Sequence, residues 1–441
     1  MRYFSILFLC LILMLSACAA PAPVAESTDG GDETSAAVGT DDPLTYWVGL
    51  TFSDTGNQLV VDRIEQFGAE KGIPVEAVVI NQNEMVQKVS AAIESGTLPD
   101  AVDVGTSLAL LLVQRDLLVP LDDLYATIGE EHDGWLNAPS VNASIADFGG
   151  SIYGIPYGTG GNMLYRRVDV LEPAGYTEAP ETWLDVAEMS SNAQNPPENY
   201  GMGFALSNVG DANMTTSMLQ SFGARVADDA GTTCTIDSPE TREFLTWITE
   251  QYNNDLFPPG VSTWDGAGDN TCYQSAQCVF VANPGSIYVY MRENDPELLE
   301  MTKFSAFPAG PAMRVSPAST NFRVVTSTSD KQELAQELIT YLMDDEFLAE
   351  YYRYAIYGAV LESQLNFDIF QESPVHAGLT ELALSGTPGS WPDADNAAFA
   401  EYQTNFLTPK MVLKVVIDGM SIDDAIAETQ TACQEIYDKY Q

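Results

Sequence analysis

The sequence predicts an α/β fold. Between residues 44 and 115 apolar strand-like runs alternate with amphipathic helical stretches in the order β-α-β-α-β, and about 400 residues follow residue 43, enough for two or more lobes with substantial cores. The first strand is 44–50 (LTYWVGL). A helical pattern over 56–71 follows, with Leu59, Ile64 and Phe67 near helical spacing. A second strand, 75–80 (VEAVVI), leads to a helix through Met85, Val89 and Ile93. The stretch 99–104 (PDAVDV) gives a third strand, and 108–115 another helix. Right-handed crossovers put the strand ends, and the polar residues just past them, on one edge of the sheet, where ligands of open α/β sheets bind.

Ahead of this body lies an export signal. Arg2 supplies the positive n-region, residues 4–15 an apolar run too short to remain as a spanning helix, and Leu15-Ser16-Ala17-Cys18 a lipoprotein box. Residues 1–17 are therefore expected to be cleaved and Cys18 lipidated, with two or three acyl chains giving stable anchoring at the outer face of the cytoplasmic membrane. Residues 18–43, rich in Pro, Gly, Ser, Thr and acids, read as a solvated tether.

Composition excludes several functions. Sixty-three Asp plus Glu against 18 Lys plus Arg give a formal charge of −45, so nucleic acid and anionic lipid are repelled. Six cysteines are present. Cys10 leaves with the signal and Cys18 carries lipid, which leaves Cys234, Cys272, Cys278 and Cys433 for two disulfides in an exported protein. Three pairings are possible. Cys272 and Cys278 close a short loop, which favours Cys272–Cys278 with Cys234–Cys433, the short bridge being worth roughly 2 kcal/mol. No C-x-x-C pair exists, and no metal or cofactor is expected. The two histidines, His132 and His376, lie in no hydrolase or zinc-protease motif, and no phosphate loop occurs, so no catalytic residues are assigned.

From residue 150 the chain resembles a family. Gly150-Ser151-Ile152-Tyr153-Gly154-Ile155-Pro156-Tyr157, then Leu164-Tyr165 with Asp169, then Ala174-Gly175-Tyr176 and Pro180-Glu181-Thr182-Trp183, are similar to the family 1 extracellular solute-binding proteins that serve ABC importers. Pro99-Asp100 through Leu121, Phe307-Pro308-Ala309-Gly310-Pro311, Gly386-Thr387-Pro388-Gly389, Pro409-Lys410-Met411 and a helix over 421–437 extend the resemblance across most of the chain. Arg166 departs from the Asn usual in the family. The resemblance implies a two-lobed periplasmic-binding-protein-like fold of type II. Hinge crossings are expected near 155–159, 311–319 and 357–360, giving lobe one as 44–155 with 315–358 and lobe two as 156–314 with 359–441. Pro156 and Gly158 suit a stiff-then-permissive link. A monomer that passes a small solute to a membrane permease is implied, without chemistry of its own.

A sugar presents an apolar ring face and a rim of hydroxyls, so its site needs aromatic platforms with amides, carboxylates or arginines. Candidates are Trp47 on the first strand, Asp54 and Thr106 at helix starts, and Tyr157 beside the first crossing. Trp264 and Asn270 sit in a Gly-rich loop. Ser286 and Tyr288 stand in a segment resembling the family's Gly-Ser-aromatic element. Asn321 and Arg323 precede a late strand, and Trp391 lies in a Gly-Ser-Trp-Pro loop. Asp54 and Thr106 would serve equally as caps. Trp183 and Trp247 read as structural. The expected ligand is a mono- or oligosaccharide; a polyol phosphate, a polyamine or another solute on the same fold is the alternative, and an extracellular hydrolase or surface interaction lipoprotein a third.

Overall fold

The computed structural model of the chain describes residues 42–51, 53–138, 141–142 and 150–441. The signal, Cys18 and all but the last two residues of the tether lie outside the described residues.

The alternation read from the sequence is present: β1 (Leu44–Gly49), α1 (Asp54–Lys71), β2 (Val75–Ile80), α2 (Gln82–Ser95), β3 (Ala101–Gly105) and α3 (Thr106–Gln114) follow in order. Helix α1 starts where Ser53 Oγ accepts the Gly56 N–H at 3.3 Å and stops at Gly72, whose φ of +68° suits a residue without Cβ. Its buried stripe is Val60, Ile64 and Phe67, the i, i+4, i+7 set, while Leu59 is only half-buried. Burying each of these three contributes roughly 1.5–3 kcal/mol.

Two sheets organise the body. The first runs β2-β1-β3-β9-β4, where β4 is Ile155–Gly160 and β9 is Ser319–Val325. Strands β1, β2 and β3 are parallel, and β9 lies antiparallel between β3 and β4. The second runs β6-β7-β5-β8, with β5 Met163–Arg167, β6 Tyr200–Gly203, β7 Cys278–Asn283 and β8 Thr302–Ser305. The chain thus passes from the first sheet to the second between Gly160 and Met163 and returns between Ser305 and Ser319.

Each sheet is covered on both faces. Tyr46, Val48, Ala101, Ile155 and Val325 of the first pack with α1, α8 (Gln332–Tyr341) and α9 (Asp345–Tyr351); Val102, Val104, Phe322 and Val324 pack on the other face with α2 and α3. The second sheet packs on one face with α4 (Trp183–Ala193), α5 (Pro239–Asn253) and α12 (Ile422–Asp438), and on the other with α7 (Ser286–Asn294) and α10 (Pro374–Ser385). Trp183 is fully buried and Trp247 nearly so, and both belong to this core. A capping box starts α4, Thr182 Oγ1 accepting the Asp185 N–H at 3.1 Å while Asp185 Oδ2 accepts the Thr182 N–H at 2.8 Å.

Both disulfides are formed. Cys272–Cys278 closes the turn between α6 (Gly268–Gln274) and β7, and Cys234–Cys433 ties the segment before α5 to α12.

A strap of close contacts holds β4 where it leaves the first sheet. Thr159 N–H donates to Gly358 O at 3.1 Å, Gly358 N–H returns the bond at 2.7 Å, and Tyr352 Oη donates to Tyr157 O at 2.6 Å. Gly158 is needed for space rather than for a special φ: a Cβ there would lie 2.8 Å from Tyr357 Cβ.

His376 on α10 is buried, its Nδ1 2.8 Å from Ser373 Oγ. Burial lowers its pKa to about 4. The unfolded chain, with an ordinary histidine near 6.5, therefore binds more protons between these values, and stability falls as pH drops from about 6.5 to 4, by up to about 1.4 kcal/mol per pH unit. Urea unfolding of wild type and His376→Gln across that window is expected to show a shallower slope in the variant.

Candidate functional site

Strand direction decides where the polar residues gather. The parallel β1 and β3 end at Gly49 and Gly105 on one edge of the first sheet. Because β9 is antiparallel to both neighbours, it begins on that edge with Ser319 and Asn321, and β4 ends there, past Tyr157. Helix α2 adds Met85 and Val86, and α3 adds Thr106, Ser107 and Leu108. These residues line a cavity of about 430 Å³ whose opposite side is Pro388, Gly389 and Ser390 with Asp395 and, from α11 (Ala397–Thr404), Phe399, Ala400 and Gln403. Phe399, like α5 and α12, belongs to the core of the second sheet. The cavity therefore lies between elements packed on different sheets.

Its floor is polar and fixed. Asp103 is 5% exposed; Oδ1 accepts from Tyr46 Oη at 2.7 Å and Oδ2 from the Gly49 N–H at 3.2 Å. Arg323 stands opposite Asp103 in the β3–β9 register, 1% exposed, its Cζ 4.7 Å from the Tyr157 ring centroid. Its Nε and Nη1 have no hydrogen-bond partner. Burial raises the Asp103 pKa above the usual carboxylate range, against the opposing pull of Arg323 and the hydrogen bonds from Tyr46 and Gly49. Gly105 opens α3 in an extended conformation without a side-chain cap, and Thr106 Oγ1 donates to Thr320 O at 3.4 Å.

Of the residues picked from the sequence, Thr106, Tyr157 and Asn321 line this cavity, and Arg323 lies directly behind Tyr157. Trp391 is 38% exposed and follows the lining residues Pro388–Ser390. The others lie elsewhere. Trp47, alternating with Tyr46, packs half-buried on the α2–α3 face of the sheet, and Asp54 is exposed in the first turn of α1. Tyr288 is buried, its ring centroid 5.9 Å from that of Phe304 and its hydroxyl 3.3 Å from Ser373 Oγ. Asn270 and Ser286 form a separate cluster: Asn270 Nδ2 donates to Ser286 Oγ at 3.2 Å, and Asn283 Nδ2 donates to Asn270 Oδ1 at 2.7 Å and to Asp269 Oδ2 at 3.0 Å. Trp264 packs beside it against the second-sheet cores. Arg166, buried on β5, does not line the cavity.

The sequence reasoning missed Asp103, Ser390, Asp395, Phe399 and Gln403. A signal existed for Asp103, an acid alternating with valines at the end of a strand; the rest come from a segment nearly 300 residues away. Among the described residues no group of three or more His, Cys, Asp or Glu is gathered as a metal site, and no helix is long and apolar enough to cross a membrane.

Near the Asn270 cluster, Asp211 has its pKa raised to about 6 by burial and by the charge of Asp269. An aspartate raised from about 4 disfavours the folded state as it ionises, so its cost grows as pH rises through 4 to 6 and is constant above. Asp211→Asn should raise the melting temperature at pH 7 and leave it unchanged near pH 3.5. In the cavity, Asn321→Ala and Gln403→Ala should each weaken solute binding about threefold to tenfold, one lost hydrogen bond apiece, with unchanged thermal stability because both residues are only half-buried. Calorimetric titration of each variant checks this.

The model of a family described as bacterial extracellular solute-binding protein matches residues 62–377. A protein of Brucella abortus named as a binding protein is 22% identical over 319 residues, 72% of this chain and 76% of that one. An ABC transporter-binding protein of Deinococcus radiodurans is 23% identical over 201 residues, 44% of this chain and 48% of that one. Among solved structures, the sugar-binding protein MalE of Xanthomonas citri superposes with a TM-score of 0.74 at 18% identity, covering 90% of this chain and 98% of that one. Maltose-bound MalE3 of T. maritima does so with a TM-score of 0.72 at 19% identity, covering 89% and 99%. The structural likeness is one of fold, two α/β lobes with a cleft between them.

Proposed function

This chain belongs to the bacterial extracellular solute-binding proteins, and we propose that it captures a carbohydrate, a mono- or oligosaccharide, between its lobes and delivers it to the permease of an ABC importer. The observation that carries this reading is the cavity between the two sheets. Its walls combine apolar surface from Met85, Val86, Leu108, Tyr157 and Phe399 with Asp103, Thr106, Ser107, Asn321, Ser390, Asp395 and Gln403. Such a mixture answers a sugar, whose ring faces are apolar and whose rim donates and accepts. Structural relatives described with maltose, α-D-tagatose or laminaribiose support the same class. The Deinococcus relative, named for an ABC transporter, supports the permease as partner.

The mechanism is capture without bond chemistry. Gly105, Thr106 and Asn321 hold the solute from the first sheet, while Ser390 and Gln403 reach it from the other side. Contacts made from both sides at once favour the closed arrangement, and only that difference in affinity shifts the open–closed population. We assign the lobe crossings to Gly161–Asn162 and to the segment between β8 and β9, with the Thr159–Gly358 strap as the third link. Energy for uptake comes from a separate ATP-hydrolysing subunit. Cys18 would carry the lipid that holds the protein on the outer face of the membrane, with the tether letting the body range tens of ångströms.

Titration calorimetry of the purified chain against monosaccharides and oligosaccharides is expected to give saturable heat with at least one sugar and no product on chromatography; heat only with non-carbohydrate solutes would transfer the function to them. Cys18→Ser should move the protein from the membrane fraction to the soluble exported fraction, and retention in the membrane would remove the lipid anchor from the account.

A further inference from the structure

The far wall of the cavity is a loop held from behind. Pro388, Gly389 and Ser390 belong to the stretch between α10 and α11, which forms neither helix nor strand, so side chains have to satisfy and shape its backbone. Asp393 does most of this. Its carboxylate is fully buried and takes three bonds: Oδ1 accepts the Ala227 N–H at 2.9 Å and Arg225 Nε–H at 3.3 Å, and Oδ2 accepts Gln220 Nε2–H at 2.8 Å. Gln220, 2% exposed on the helix Met214–Ser221, also donates from Nε2 to the Ser390 carbonyl at 3.2 Å. That carbonyl accepts the Asp393 N–H at 3.0 Å as well. Two donors fill its lone pairs, so Ser390 meets a solute with its hydroxyl and not with this carbonyl.

Three residues further on a second clamp follows. Asn396 Oδ1 accepts the Phe399 N–H at 2.8 Å as the N-cap of α11, while its Nδ2 donates to Gly231 O at 3.1 Å. Gln220, Arg225, Ala227 and Gly231 all lie on one stretch of the second lobe, which the Cys234–Cys433 bridge ties to α12. Neither Asp393 nor Gln220 lines the cavity.

We propose, resting on the carbohydrate reading above, that Asp393 is a positioning residue for capture: through Gln220 and the Ser390 carbonyl it sets the far wall in its binding arrangement before the solute arrives. A wall already ordered needs no ordering on binding, whereas a loose one subtracts that ordering from the affinity. The hydrogen bond has a direction that can be reversed. A carboxylate only accepts and an NH2 only donates, so Asp393→Asn turns an NH2 either on Gln220 or on the Ala227 N–H and Arg225. Gln220→Glu sets two carboxylates together. The double exchange Asp393→Asn with Gln220→Glu again faces one donor with one acceptor and keeps the net charge of the pair.

The test uses the full chain, these three variants and Gln220→Met, in which Asp393 keeps Arg225 and Ala227 and the volume is nearly unchanged, so that a foldable variant remains if a buried charge exchange does not fold. Hydrogen–deuterium exchange is read without solute, and affinity by calorimetry with glucose, galactose, maltose, maltotriose and laminaribiose. Each single variant is expected to exchange faster at 388–396, with β5 and β7 unchanged, and to bind the sugars that wild type binds about tenfold more weakly. The double variant should bind more tightly than either of its single parents. Unchanged exchange at 388–396, unchanged affinity in Gln220→Met, or a double variant no better than its parents overturns the positioning role and leaves the carbohydrate reading standing. No response of the wild type to any of these sugars overturns that reading, and the positioning role with it.

Discussion

β9 returns to the first sheet after the chain has built the second, and its place there sets the cleft. This strand comes back from the second sheet and inserts antiparallel between β3 and β4, so its beginning meets the ends of its neighbours at one edge. Three features follow. Ser319 and Asn321 join Gly49, Gly105 and Tyr157 around the cavity. Arg323 is brought opposite Asp103 and against the Tyr157 ring, which places a buried cation within reach of an otherwise expensive buried carboxylate. The chain must also cross between sheets more than once, which fixes the cleft between two separately packed bodies instead of at the rim of one.

That buried pair shapes the energetics of the floor. No direct ion pair forms between Asp103 and Arg323; the arginine acts through its field, while Tyr46 and Gly49 make the hydrogen bonds. Tyr46, Tyr157, Tyr351 and Tyr352 surround the same region, and Tyr352 ties the backbone of Tyr157 directly. Floor and strap therefore share residues. Tyr157 lines the cavity, receives the Arg323 guanidinium on its ring, and contacts Tyr357 edge-on at 5.6 Å.

Much of the first lobe was legible in the sequence, because β1, β2 and β3 are apolar runs bounded by turn residues and α1 is flanked by Ser53 and Gly72. The exact stripe of α1 was less so: Leu59 and Val60 are adjacent and both apolar, and only packing on the sheet selects Val60. The insertion of β9 was not legible, since no local pattern says which neighbours a strand will choose more than 150 residues away. Of the residues picked for their chemistry, three fall at the cavity. Thr106, Tyr157 and Asn321 lie at strand ends whose direction follows from topology. Aromatics and amides chosen for their chemistry scattered: Trp47 points to the opposite face from Tyr46 by simple alternation, and Asn270 and Ser286 satisfy each other and Asn283. The far wall at Phe399 and Gln403 comes from a helix whose flanking alanines gave little periodic signal.

Capture as proposed requires one solute to be held simultaneously from both sides of the cavity. Hydrogen–deuterium exchange of the chain, with and without the carbohydrate that gives the largest calorimetric heat, tests it most directly. Exchange is expected to slow together at 104–108, at 319–321 and at 388–403, with the Asn270 cluster less affected. Protection confined to one side, or protection centred elsewhere in the molecule, would contradict it.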